Sequence, residues 1–146
     1  MNGALHIVFK VAGAEYAIPA ELVLQMESYT GATAVPGAPA YVAGIVQIRG
    51  KVVPVVDLRL RFGLPAIVAT LDSRIVVGKS GERAVGLLVD SAREVLKLKK
   101  EEISDPPSMV TDQAEGFVKA VARPGNRLLM LIDFLKVIGE EKLNGN

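Results

Sequence analysis

Apolar and polar residues alternate along most of this chain, and a period of two predicts strands rather than helices. The clearest stretch runs from Ile48 to Gly63. Arg49-Gly50 separates two apolar runs, Ile45 to Ile48 and Val52 to Val56, and Gly50 can take the positive φ of a short hairpin turn. From Val52 the even positions, Val52, Pro54, Val56, Leu58, Leu60 and Phe62, are apolar, while Lys51, Asp57, Arg59 and Arg61 stand on odd ones, which predicts one core face and one partly wet face. Pro54 lacks an amide hydrogen, so its strand is expected at a sheet edge or at a bulge. Asp57 is placed to cap a helical turn through Phe62, with Gly63 as its stop.

The same reading gives an opening hairpin from Leu5 to Val11 and Tyr16 to Ile18, and a second from Arg74 to Val77 and Arg83 to Val89 around Gly78-Lys79-Ser80-Gly81. Ala20, Val23, Leu24 and Met26 approximate a helical stripe behind Pro19, predicting a short helix from Pro19 to Glu27. Gly31 to Pro39 reads as a surface loop. The apolar parity switches between Val89 and Leu96, so a bulge or kink near Asp90 is expected. Lys97 to Ser108 is charged and broken by Pro106-Pro107, and reads as a loop. Gly116 to Gly139 echoes the stretch from Gly44 to Gly63: Gly116-Phe117-Val118 stands against Gly44-Ile45-Val46, and Ile132-Asp133-Phe134 against Val56-Asp57-Leu58. Asp57 to Gly63 and Asp133 to Gly139 have one spacing, whereas the interval from leading glycine to aspartate is four residues longer in the second copy. Phe134, Leu135 and Ile138 share a helical face, predicting a closing helix.

Gln47-Ile48-Arg49-Gly50, Val52 to Arg59 and Phe62-Gly63 resemble the N-L-R-G turn, V-x-P-V-V/I-D-L-R strand and F-G pair of the CheW-like domain family, the coupling proteins of bacterial and archaeal chemotaxis. The likeness extends upstream to Val35-Pro36 and Ala38 to Gly44, and downstream to Val85 to Asp90 and Val95-Leu96, each in the family's order and spacing. Beyond a mainly β chain with antiparallel hairpins, the resemblance implies two small five-stranded SH3-like barrels packed side by side around a shared core. It sets a single domain over residues 1–146, with barrels at residues 16–66 and 67–132, and residues 1–15 and a C-terminal helix at 133–143 packed on them.

Bulk properties agree. The 146 residues are enough for one domain or two very small ones sharing a core, and half of them are apolar. Seventeen basic and sixteen acidic side chains leave a net charge of +1, which gives little drive toward nucleic acid. There is no cysteine, hence no disulfide framework or thiolate metal site. No apolar run reaches the roughly 18 residues of a spanning helix, and the first residues do not read as a signal peptide.

The inventory for catalysis is thin. His6, the single histidine, lies in the first strand without a neighbouring carboxylate to orient it. Ser73, Ser80, Ser91 and Ser108 lack the strained G-x-S-x-G setting of a nucleophile. Asp57, Asp90 and Asp133 each end an apolar strand, where capping a turn accounts for them. No cofactor, metal or catalytic residue is expected.

The resemblance therefore implies an adaptor that binds the cytoplasmic helices of methyl-accepting chemoreceptors and the regulatory domain of a CheA-type histidine kinase, in the cytoplasm, recruited to receptor arrays at the inner face of the membrane. Carried onto this chain, the receptor groove takes Val23, Gln25, Gly44, Arg49, Ala92 and Val95. For Val23, Ala92 and Val95 core packing is an equal alternative. The family pairs the turn arginine with a glutamate; here Gln25 stands at that place, or Glu27 with a shift in alignment, to meet a half-buried Arg49. Val35 and Pro36 are the expected kinase contacts. A domain of this fold that binds a kinase without touching a receptor is the alternative.

Overall fold

The computed structural model describes residues 3–108 and 116–139. Its strands are β1 (Ala4–Val11), β2 (Ala14–Pro19), β3 (Val23–Ser28), β4 (Val42–Ile48), β5 (Lys51–Asp57), β6 (Arg74–Ser80), β7 (Arg83–Val89), β8 (Ser91–Leu98), β9 (Ile103–Ser104), β10 (Val118–Ala122) and β11 (Leu129–Ile132). Two short helices, α1 (Leu58–Arg61) and α2 (Phe134–Ile138), follow β5 and β11. The strands form two sheets, one of five in the order β3-β6-β7-β5-β4 and one of six in the order β8-β1-β2-β11-β10-β9. Within each, antiparallel hairpins are joined by one parallel contact, β5 to β7 and β11 to β2.

Mainly β architecture in two packed units is therefore observed, with β9 making a sixth strand in the second. The chain divides differently from expectation. Residues 74–89 pair with β3 and β5, so a boundary after residue 66 would cut one sheet, and residues 4–19 are integral to the other sheet rather than packed on it. Hairpin pairing explains this: each parallel contact needs a strand brought in from a neighbouring hairpin.

Several local expectations hold. Arg49 and Gly50, with φ of 51° and 80°, make the two-residue turn of β4 and β5. The Asp57 side chain accepts the amide hydrogens of Arg59 and Leu60 at the start of α1, and Gly63 follows its end with φ 81°. Asp90 lies at the kink between β7 and β8, and a bulge offsets β8 against β1 between Ala92 and Glu94.

Others are corrected. The expected helix from Pro19 to Glu27 shrinks to one 3-10 turn, Ala20–Leu22, and Val23–Ser28 is an edge strand whose outward residues, Leu24 and Met26, happen to be apolar. The β6–β7 turn is at Gly81-Glu82, because β6 continues through Gly78 to Ser80. Lys97 and Leu98 still belong to β8, and Leu98 is buried. Pro54 sits in an interior strand; pairing with β7 starts at Val55, so the missing amide hydrogen falls before the paired residues. In α2 Val137, not Leu135, joins Phe134 and Ile138 in the core. Residues 140–143 of the expected closing helix lie outside the described residues.

Both faces of the central strands are buried. Val53, Val55, Ile75, Val77 and Leu88 form a small core inside the five-stranded sheet, and Val8, Ala17, Leu98, Ala122, Leu129 and Leu131 another inside the six-stranded one. The largest cluster lies in the seam between them, where Ile7, Phe9, Ile18, Val56, Val76, Leu87, Phe117, Phe134 and Val137 pack together. Three layers of core leave Val52 as the exposed apolar residue of β5.

Pairing registers expose an internal duplication. Asp57 donates its amide to the Tyr41 carbonyl at 2.8 Å, and Asp133 donates to that of Phe117 at 2.7 Å, across the same sixteen-residue interval. Each contact precedes a bulge, between Val42 and Gly44 and between Val118 and Ala120. Phe117 is thus the counterpart of Tyr41, not of Ile45, and the four-residue discrepancy vanishes. The correspondence continues through the other strands. Gly78 pairs with Val23 and Val85 as Phe9 pairs with Ala92 and Tyr16. Hence β3, β4, β5, α1, β6 and β7 match β8, β10, β11, α2, β1 and β2 in turn, a circularly permuted repeat.

Candidate protein-interaction site

Edge strands β3 and β8 occupy equivalent places, and both border the seam. Met26 pairs with Val76, and Val95 with Ile7; Val76 and Ile7 belong to the seam core, so Met26 and Val95 face the same way at its open rim. They are 40 % and 53 % exposed, and Leu5, beside Val95 on the same face of the six-stranded sheet, is 55 % exposed. Val23 and Ala92 lie deeper: Ala92 is buried in the seam cluster and Val23 packs against it. Two apolar walls, Met26 on one and Leu5 with Val95 on the other, therefore stand over a floor that includes Val23 and Ala92. Leu5 and Met26 were missed in the sequence. The signal was there in the alternation of β3, but a helical reading of residues 19–27 hid it.

Gln25 points away from that groove. It pairs with Val77 of the inner core, and its amide nitrogen donates to Glu27 Oε2 at 2.5 Å. The expected contact with Arg49 is not made: Arg49 is exposed at its turn and has no hydrogen bond or ion pair with a described residue. A half-buried arginine was expected, but the tip of a two-residue hairpin projects into solvent. Glu27 instead lines a cleft of about 520 Å³ at the mouth of the five-stranded sheet, with Thr30, Thr33, Gln47 and Ile48. Gly44 is buried near this mouth, where Thr33 and Ile45 exchange backbone hydrogen bonds; a Cβ at Gly44, with φ 143°, would collide with the Thr33 carbonyl. Its role is close approach of two backbones, not lining the groove. The six expected residues thus separate into a seam group (Val23, Ala92, Val95) and three that lie away from the seam groove (Gln25, Gly44, Arg49). Val35 and Pro36 are exposed on the loop between β3 and β4.

Charged side chains brace these edges. Glu94, the counterpart of Gln25, takes a two-pronged contact from Arg127 at 2.8 and 2.7 Å, and Arg127 also reaches Glu15 at 2.7 Å. The Arg127 hydrogen bonds hold the Glu94 carboxyl below its ordinary value. Asp90 accepts Nε and a terminal nitrogen of Arg59 at 2.9 and 2.7 Å, and the Ala12 amide at 2.7 Å. Burial pushes the Asp90 carboxyl up, but these hydrogen bonds and the Arg59 charge outweigh it and leave the group below its usual range. Arg93 pairs with Asp72. Asp57 accepts the Ile67 amide besides capping α1, and Asp133 caps α2. His6 is buried with Nδ1 3.0 Å from the Ala4 carbonyl. Each of these groups has a partner within the fold, and among the described residues no three His, Asp or Glu side chains gather to hold a metal ion. Nor is any described helix long and apolar enough to cross a membrane.

The family model of the CheW-like domain matches residues 6–142. The chain belongs to the CheW-like domain family. Among relatives of this CheW-like domain, the chemotaxis protein CheW of Bacillus subtilis is 36 % identical over 96 % of the chain and 90 % of its own length. The protein of that name from Rhizobium meliloti is 32 % identical, covering 97 % and 92 %. In structure the domain is similar to the scaffolding protein TtCheW from Thermoanaerobacter tengcongensis, with a TM-score of 0.82 and 30 % identity over 91 % of this chain and 90 % of that one.

Proposed function

We propose that this CheW-like domain is an adaptor that joins the cytoplasmic helices of a chemoreceptor to the regulatory domain of a histidine kinase and so controls kinase activity, with no covalent step of its own. The carrying observation is the seam groove: two apolar walls formed by Met26, Leu5 and Val95 above a packed floor, a shape that takes one face of an amphipathic helix. Arg49, exposed and unengaged by any described residue, offers a positive charge to an acidic partner. Val35 and Pro36 stand on a different loop and supply the second, kinase-facing surface. Assembly occurs at the inner face of the membrane, where the receptors hold the complex.

Pull-down with a receptor cytoplasmic fragment and a histidine kinase tests this. A ternary complex supports the adaptor; binding of kinase alone supports a regulatory domain without receptor contact; binding of neither refutes both. Val95→Arg abolishes receptor capture if the groove holds the receptor helix, and normal capture by that variant moves the site elsewhere.

A further inference from the structure

Edge strands β3 and β8 border the groove, and α1 and α2, which follow β5 and β11, meet on the seam across the pseudo-symmetry. Arg61, the last residue of α1, makes that contact. Its Nε donates to the Val137 carbonyl at 2.8 Å and a terminal nitrogen donates to the Lys136 carbonyl at 3.0 Å, so its fork caps α2. The guanidinium lies 3.9 Å from the ring centre of Tyr41 and 4.7 Å from that of Phe117. Those rings are equivalent residues of the two halves. Aromatic contacts continue from Phe117 through Phe62 and Tyr16 to Phe9, with centroids 5.8, 5.2 and 5.9 Å apart, so that Phe62 of the first half is held among three rings of the second.

The repeat makes this contact one-sided. The counterpart of Arg61 in α2 is Val137, which is wholly buried and offers only its carbonyl. A single arginine therefore ties both helices and a ring from each half at one point on the seam, with directional hydrogen bonds and stacking rather than with apolar burial alone. Apolar layers tolerate sliding, whereas a forked guanidinium fixes angle as well as distance.

We infer that Arg61 is a positioning residue that fixes the angle between the two halves and thereby sets the width of the groove between β3 and β8. The inference builds on the helix-binding reading of that groove, but the width is measurable without a receptor. With the lock in place one groove width is populated. Without it the halves sample several, and if the competent fraction falls to about a tenth, apparent affinity falls about tenfold.

The chain has no cysteine, so labels can be placed cleanly. Cysteines introduced at Met26 and Leu5, on opposite walls, carry spin labels, and the label-to-label distance distribution is read by pulsed electron resonance on the full chain. Arg61→Met keeps length and removes the fork; Arg61→Lys keeps the charge over the rings but cannot hold two carbonyls. Both are expected to broaden or shift a narrow distribution, with circular dichroism unchanged, and the unlabelled variants to bind a receptor fragment about tenfold more weakly. An unchanged distribution in a folded Arg61→Lys protein overturns the inference, whatever its melting temperature. Should Arg61→Met fail to fold, Arg61→Lys and Tyr41→Leu supply the same two readings. A receptor fragment that ignores the unsubstituted protein refutes the helix-binding reading alone, since the label distances stand apart from it.

Discussion

Arg59 and Asp90 meet as a fork and a carboxylate, Nε to Oδ1 at 2.9 Å and Nη2 to Oδ2 at 2.7 Å, and the same carboxylate receives the Ala12 amide from the β1–β2 turn. One side chain thus joins α1 of the first half to the opening hairpin of the second. Because Asp90 titrates below its ordinary range when folded, the stability it contributes is complete above the unfolded value of about 4 and is lost as pH falls through the folded value. Glu94 beside Arg127 has the same sign. Acid unfolding followed by circular dichroism should show a steep limb below about pH 4. Asp90→Asn should lower stability at pH 7 by about 1–2 kcal/mol and flatten that limb; an unaltered acid limb would remove the pair from this role.

Arg49 holds φ at 51° in a position of the turn where asparagine, aspartate or glycine fits better. Its side chain makes no compensating contact with a described residue, so no described contact offsets that local strain. Arg49→Gly should raise stability by about 0.5–1 kcal/mol in chemical denaturation while receptor capture falls. Gain of stability with full capture would make the arginine incidental.

The two capping aspartates are equivalent by position and unequal by load. Asp57 is buried and accepts amides of Arg59, Leu60 and Ile67 at 2.9, 3.3 and 3.0 Å, whereas Asp133 accepts that of Lys136 at 3.3 Å. Asp57→Ala leaves the Ile67 amide without its carboxylate as well as uncapping α1, and should cost about 2–4 kcal/mol. Asp133→Ala should cost about 1 kcal/mol. Equal losses in denaturant titrations would show that position in the repeat, not hydrogen-bond number, sets the effect.

Those aspartates were also the most legible part of the sequence. Asp57 to Gly63 and Asp133 to Gly139 declare themselves because a cap and a left-handed stop are local devices, complete within seven residues. What failed was everything decided at a distance. Val53 and Val55 read as a half-wet face but lie in a second core, since a strand cannot announce that both its sides are covered. Gly44 and Gly116 looked equivalent because both are glycines before apolar pairs; only the bulges and the carbonyls of Tyr41 and Phe117 set the true register. For the proposed groove, Val95 and Val23 are named by family likeness, while Leu5 and Met26 depend on which face of each strand meets the seam. Gln25 lies one residue from Met26 and on the opposite face, a difference that alignment alone does not carry.

The repeat itself yields the sharpest packing test. Gly78 occupies the place of Phe9, and Phe134 the place of Leu58, so the two halves fill equivalent space with opposite choices: a large strand residue with a smaller helix residue, or none with a ring. A Cβ added at Gly78 would lie 2.6 and 2.7 Å from the Phe134 ring, too close to be absorbed unless that buried ring shifts. Gly78→Ala should therefore cost about 1–3 kcal/mol, as overpacking does. Phe134→Leu alone should cost about 1 kcal/mol or more by leaving a void above Gly78. Combined, the two changes bring this corner toward the arrangement of the other half, and the double variant should be more stable than the sum of the single losses predicts, by about 1 kcal/mol or more. Additive losses in a denaturant cycle would show that Gly78 answers to a constraint other than the Phe134 ring.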